Sequence, residues 1–184
     1  KYVLYYAMSV WGGEQTCGIG VATANSPQGP FTDHGKMFRS NEIGVQNSID
    51  PSLLQYEGRN YLVWGSFRGI YVIELTADGL SIMPGAKKKR IAGTAFEAVY
   101  IHKHDDYYYM FASIGSCCQG VKSTYKVVVG RSKKVWGPYK DKTGKPMLKN
   151  GYSLVIGAND HFVGNGHGSQ IIRCLLYTSD AADE

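Results

Sequence analysis

Cysteine is scarce in this chain. Four cysteines in 184 residues, without metal-ligand spacing, exclude a disulfide framework and a zinc site. Long apolar runs are missing too. No stretch of about 18 consecutive apolar residues exists, so no transmembrane helix is expected. No segment of ten or more residues carries the apolar stripe of an amphipathic helix. An initiator methionine is absent, and no leader with a basic, an apolar and a cleavage region precedes the first strand-like segment. What the chain does hold is 23 Gly, 14 Tyr and 43% hydrophobic residues, a mixture that favours strands and turns. That composition excludes a disordered tail, a collagen and a disulfide-dense mini-protein.

Both ends have consequences for the arithmetic. Lys1 leads directly into a strand-like Tyr2-Val-Leu-Tyr-Tyr-Ala-Met, so the beginning of a domain is expected to be missing. At the other end, residues 174–184 follow a strand-like stretch abruptly. They resemble the read-through translation of a transposon-type sequencing adaptor; the alternative is a short natural polar tail. Setting them aside leaves residues 1–173 as the expected native part. It also removes three acids and one cysteine, and lifts the net charge from +5 to +8.

Three segments repeat one another. Lys1–Ser9, Asn60–Ser66 and Asp106–Ser113 are short aromatic-rich strands with leading tyrosines at 2, 61 and 107. A second strand follows each, over 18–24, 69–75 and 125–131. Further strands are expected over 49–56 and 96–104, closed by hairpin turns at 57–60 and 104–106. Gly29-Pro30 and Gly137-Pro138, each followed by an aromatic residue, lie 108 positions apart, or two units of about 54. Short strands recurring at a period near 50 predict propeller blades. An ordinary β-sandwich also has many short strands, but it does not predict this recurrence. Blades are expected over 1–45, 46–92 and 93–150, with residues 160–173 beginning a fourth. Propellers close with about four to eight blades, so the chain reads as an all-β fragment of a larger propeller.

Chemistry is expected where innermost strands face the central channel. Asp50 precedes Pro51, which disfavours the α region for Asp50 and suits a strand start. Glu97 stands in Thr94-Ala-Phe-Glu97-Ala-Val-Tyr100, an unusual apolar setting for an acid. Burial favours the neutral form of a carboxyl, the form a general acid needs. The two acids are 47 residues apart, about one blade. Asp before Pro is also a common turn former, and a lone strand glutamate can simply serve an ion pair; the matched positions favour the functional reading of both. His167, in Gly164-Asn-Gly-His-Gly-Ser169, precedes another expected inner strand. It is a third candidate, for binding a metal or orienting a carboxylate.

These pieces occur in one order: Asn47-Ser-Ile-Asp-Pro51, Trp64-Gly-Ser-Phe-Arg-Gly-Ile70, Ala95-Phe-Glu-Ala98, the run from Tyr107 through Cys117-Cys118, Ser123-Thr-Tyr125, Val129-Gly-Arg-Ser132, Gly137-Pro-Tyr139 and Gly164-Asn-Gly-His167. The set resembles glycoside hydrolase family 43, specifically its arabinan-degrading enzymes, over residues 1–173. The resemblance implies a five-bladed β-propeller that cleaves α-1,5-linked L-arabinofuranose chains with inversion. It implies Glu97 as general acid and Asp50 as the aspartate that tunes and orients it. His167 is implied beside a bound ion, often Ca2+ and usually reached through water. Ser66, Phe67, Cys117 and Cys118 are implied beside the sugar subsites. Two departures stand out: Ala98 replaces the usual Gly, a change that adds one methyl, and Gly168 replaces an Asn often found after the histidine.

The family's general base, an aspartate of the first blade, finds no match. Asp33 lies in a turn and Glu14 in a glycine-rich loop, and neither is assigned the role. The fragment is therefore expected to be inactive alone, since an inverting glycosidase needs an acid and a base. Three functional readings follow: an arabinan hydrolase, a sugar-binding propeller without catalysis, and an exo-acting α-L-arabinofuranosidase or β-xylosidase of the same family. The expected partner is arabinan or an arabino-oligosaccharide, met outside the cell or in the periplasm by a monomer. The adjacent Cys117 and Cys118 fit a strained vicinal disulfide, two thiols at a subsite, or plain core cysteines. The run Lys87-Lys-Lys-Arg90 reads as a solvated basic edge, with attraction to acidic pectic polymers as an extension. No RNA-binding motif accompanies it, so neither nucleic acid nor membrane is an expected partner.

Overall fold

The computed structural model of the protein describes residues 1–169. Its strands form three antiparallel sheets, each a meander in which consecutive strands pair. The first holds β1 (Tyr2–Met8), β2 (Gly18–Ala24) and β3 (Thr32–Arg39). A single helical turn, α1 (Ser40–Ile43), leads to the second sheet. That sheet holds β4 (Ser52–Tyr56), β5 (Arg59–Trp64), β6 (Ile70–Glu74) and β7 (Lys89–Ala92). The third holds β8 (Glu97–His104), β9 (Tyr107–Ile114), β10 (Lys126–Ser132) and β11 (Ser153–Ile156).

The repeat seen in the sequence is a repeat of position. Tyr2, Tyr61 and Tyr107 lie on β1, β5 and β9, which makes these the equivalent strands of three blades. Gly29 and Gly137 fall in the β2–β3 and β10–β11 connections, with φ of 78° and 80°. Accordingly β4 and β8 are the innermost strands of the second and third blades, and they pack against each other. The first sheet has no counterpart of them among the described residues.

Alternation on the middle sheet explains how the blades stack. Leu62, Trp64, Ile73 and Leu75 face the first sheet and pack with Ile19 and Phe38. Val63, Ile70 and Val72 point the other way, into a core with Phe96 and with Val99, Met110 and Val128 of the third sheet. The period-2 geometry of a strand thus buries both faces of this sheet. At the two outer faces Tyr2, Leu4, Leu154, Val155 and Ile156 are exposed. Strands approach closely at β2, where a Cβ on Gly18 would stand 2.2 Å from the Phe38 carbonyl oxygen.

Three expectations shift. The third sheet extends past residue 150, because β11 lies beyond the Lys142–Pro146 turn; its exposed residues lack the alternation that betrays a half-buried strand. Strand β4 begins at Ser52, so Asp50 precedes the strand and does not open it. Of the expected fourth blade, Asn165 makes an isolated bridge to Lys126, while residues 170–173 and the adaptor-like 174–184 lie outside the described residues.

Candidate active site

The segment before β4 is fixed by side chains. Asn47, with φ of 52°, donates its Nδ2 to the Ser66 carbonyl at 3.1 Å and to Ser66 Oγ at 3.0 Å. Ser48 accepts from the indole of buried Trp64 at 3.1 Å and donates to the Val45 carbonyl at 2.8 Å. These ties pin the chain just before Asp50. Asp50 then adopts φ of 56°, a left-handed conformation and not the extended one that Pro51 alone predicts. Its Oδ2 accepts from the Ala98 amide on the neighbouring blade at 3.0 Å. Asp50 therefore crosses the gap between blades instead of pairing along a ladder.

Glu97 is the first residue of β8 and is 8% exposed. Its Oε2 accepts from Ser66 Oγ at 2.7 Å. Ser66 is thus a relay, holding Asn47 on one side and the carboxylate on the other. The register shifts between Glu97 and Tyr100, and within this irregularity Ala98 takes φ of 49°. The methyl of Ala98 therefore sits where the backbone favours glycine, so the departure at this position is one of conformation as well as size.

Electrostatics link the two acids. Burial pushes the Asp50 carboxyl above the ordinary aspartate range, and the Glu97 carboxylate adds to the rise. His167 and the Ala98 amide pull the other way. His167 has φ of 56°, and its amide donates to Ser113 Oγ at 2.7 Å. Ser113 is the register partner of Glu97. His167, Asp50 and Glu97 therefore meet at one end of β8 and β9.

The remaining predicted residues line the same end. Phe67 is half-buried at φ of 50°, its amide bonded to the Phe96 carbonyl at 2.9 Å. Cys117 and Cys118 are exposed thiols with sulfurs 2.7 Å apart, side by side in the chain and not buried in the core. The Cys117 thiol is pushed up to about 11, first by its contact with Cys118, then by burial, with Glu97 also contributing. Glu14 and Asp33 are engaged elsewhere. Glu14 forms a two-pronged pair with Arg68 at 2.8 and 3.0 Å, and Asp33 accepts from the Tyr6 hydroxyl at 2.6 Å.

Sequence reasoning gave no role to Asn47, Ser113 and Tyr125, which lie beside the acids, nor to Trp11. Tyr125 is 5% exposed, and its hydroxyl lies beside Glu97 and Ser113 without a hydrogen bond of good geometry. Burial, then the Glu97 carboxylate, push this phenol far above its ordinary range. Gly166 rests on the Tyr125 ring, where a Cβ would come within 2.1 Å. Trp11 is 93% exposed on the loop that Glu14 ties to Arg68. An aromatic residue bare to solvent on a tethered loop is the signal that a search for acids passes over.

Ca2+ takes about six to eight oxygen ligands. Among the described residues no group of three His, Cys, Asp or Glu side chains comes together to hold a metal ion. His167 alone does not make a calcium site, and no chemistry is assigned to an ion here.

The arrangement offers one buried carboxyl group held by a serine hydroxyl, with a second, half-buried acid on the adjacent blade. The model of the glycosyl hydrolases family 43 matches residues 1–173. The extracellular endo-alpha-(1->5)-L-arabinanase 1 of Bacillus subtilis is 38% identical over 191 residues, covering 100% of this chain and 58% of that protein. The extracellular exo-alpha-(1->5)-L-arabinofuranosidase ArbA of Cellvibrio japonicus is 38% identical over 205 residues, covering 99% of this chain and 57% of its own length. Among solved structures, the Cellvibrio cellulosa alpha-L-arabinanase complexed with arabinohexaose superposes with a TM-score of 0.82 at 35% identity, over 91% of this chain and 60% of that one. The chain thus spans less than two thirds of the relatives it matches. Its three sheets are three blades of the five-bladed propeller those arabinanases share. The chain belongs to glycosyl hydrolases family 43.

Proposed function

We propose that the whole protein is an inverting glycoside hydrolase of α-1,5-linked L-arabinan, with Glu97 as its general acid. The observation that carries this reading is the pairing of a buried and a half-buried carboxyl group on adjacent blades, one held by Ser66 Oγ and the other by the Ala98 amide. Glu97 gives its proton to the glycosidic oxygen as the bond from that oxygen to the anomeric carbon breaks. A water attacks the same carbon from the opposite face and loses a proton to a base, so the configuration inverts. Asp50 braces the acid from the adjacent blade, because its carboxylate holds the amide of Ala98, the residue next to Glu97.

The base of such a reaction stands about 6.5–9.5 Å from the acid. Glu14 and Asp33 are committed to Arg68 and Tyr6. The innermost place of the first blade, where the family keeps its base, has no described strand. We assign the base to that place in the whole protein. We assign contacts with the sugar rings to Phe67 and the Cys117-Cys118 pair, and add exposed Trp11, whose loop is tied to Arg68 beside Phe67. The substrate follows from relatives named as arabinanases and from one solved with arabinohexaose. An extracellular setting follows from relatives named extracellular. Relatives named endo and exo are equally identical to this chain, so the proposal is made for the linkage.

The test is linear α-1,5-arabinan with the whole protein, followed by proton NMR of the first products. New reducing ends of β configuration are expected. Products of α configuration would contradict the mechanism, and no cleavage would favour a sugar-binding propeller.

A further inference from the structure

The third blade carries a surface that the arabinan reading leaves unused. At the end of β9 and β10 opposite Glu97 lies a cleft of about 460 Å³. Arg131, Lys133, Lys134, Lys140 and Lys142 line it, and all five are exposed. A second groove is bordered by Lys87, Lys89 and Trp136, the last of them two residues past Lys134 in the chain. Lys87 and Lys89 belong to the basic run conspicuous in the sequence, which the fold brings to the same junction between the second and third blades. Among the described residues none of these seven cations is in an ion pair. The two acids nearby are committed: Glu74 pairs with Arg59 at 3.3 Å, and the Asp141 carboxylate accepts from the Thr143 hydroxyl and the Lys145 amide at 2.7 and 2.8 Å.

We propose that this band is a docking surface for an acidic polysaccharide, a polyuronate whose carboxylates repeat along the chain. A row of unpaired cations flanking two grooves creates a positive field that favours a linear polyanion. Lysine dominates, and as a strongly hydrated point charge it suits loose attraction along a repeating polyanion more than the bidentate recognition of a single group. Nucleic-acid binding of single strands uses bare aromatic faces, and these are taken here. Arg131 covers the Tyr107 ring at 4.4 Å with Lys133 at 5.7 Å, and Trp136 packs on Tyr61 at 4.6 Å. β10 runs seven residues between the two ends of the blade, so the surface lies about 20 Å from Glu97 at the usual rise per strand residue. Docking there leaves the channel end open. It raises the effective concentration of any neutral polymer linked to the acidic one.

Binding can be read on this chain without reference to hydrolysis. Polygalacturonate is titrated in by calorimetry, beside a fully methyl-esterified polymer and a DNA duplex at equal charge concentration. Polygalacturonate is expected to bind, to lose about tenfold or more in affinity between about 0.05 and 0.5 M salt, and to outbind both controls. The Lys133→Glu/Lys134→Glu/Lys142→Glu variant is expected to bind about tenfold more weakly or worse. Near-UV circular dichroism checks its fold, and Lys87→Glu/Lys89→Glu supplies an independent variant. Unchanged affinity in both folded variants would overturn the proposal. So would no binding to polygalacturonate at low salt, equal binding of the esterified polymer, or tighter binding of DNA.

Discussion

Ala98 holds a side chain at φ of 49°, beside the acid it follows. A left-handed conformation costs an L-residue about 1–2 kcal/mol relative to glycine. Ala98→Gly is therefore expected to stabilise the chain by about 1 kcal/mol in urea unfolding, because its amide bond to Asp50 is kept. Asp50 predicts a pH effect. Its folded-state pKa is raised by burial and by Glu97. Below the ordinary aspartate pKa it is neutral in both states and contributes nothing. As pH rises, the unfolded chain ionises first, so the folded state loses stability until its own raised pKa is passed. Asp50→Asn, which still accepts from Ala98, is expected to stabilise the chain at neutral pH and to lose that advantage as pH falls through the ordinary aspartate range. Melting curves at several pH values check the sign. Asp50 and Glu97 were legible in the sequence because their spacing matches the blade repeat. Asn47, Ser113 and Tyr125 were not, because they matter through contacts 19 to 54 residues away in the chain or, for Tyr125, through a hydroxyl buried beside Glu97.

Between β5 and β6 the chain makes the turn that presents Ser66. Gly65 has φ of 124°, and a Cβ there would meet the Gly69 carbonyl oxygen at 2.2 Å. Gly65→Ala is expected to cost about 1–3 kcal/mol by overpacking. It should also weaken arabinan cleavage by the whole protein, because Ser66 can no longer hold Glu97. Ser66→Ala separates the two effects: it keeps the turn and removes only the hydroxyl. Elements were legible unevenly. β2 was read over its exact span, since its small and β-branched residues sit between clear turns. β3 and β11 were not read as strands, because their residues face solvent and show no alternation. The left-handed turn at Asp50 was hidden behind Pro51, whose local preference loses to the hydrogen bond from the next blade.

Across the molecule, burial is graded. The middle sheet is covered on both faces, whereas β1 and β11 leave apolar side chains in water. Hydrogen exchange is expected to be slowest in β5 and β6 and faster in β1 and β11, since local opening follows contact density. Uniform protection would contradict this stacking. The blade repeat made the architecture legible from sequence, because each unit must bury its faces on the next. The polyuronate surface was only half legible: the run at Lys87 is visible, but its junction with Lys133 and Lys134 exists only once the blades stack. The account as a whole rests on Glu97 as the acid that protonates the leaving oxygen. Its most direct test is the rate of linear α-1,5-arabinan cleavage by the whole protein carrying Glu97→Gln. A fall of about 10²–10⁴-fold with the fold intact is expected, and a rate near that of the unaltered protein would contradict the account.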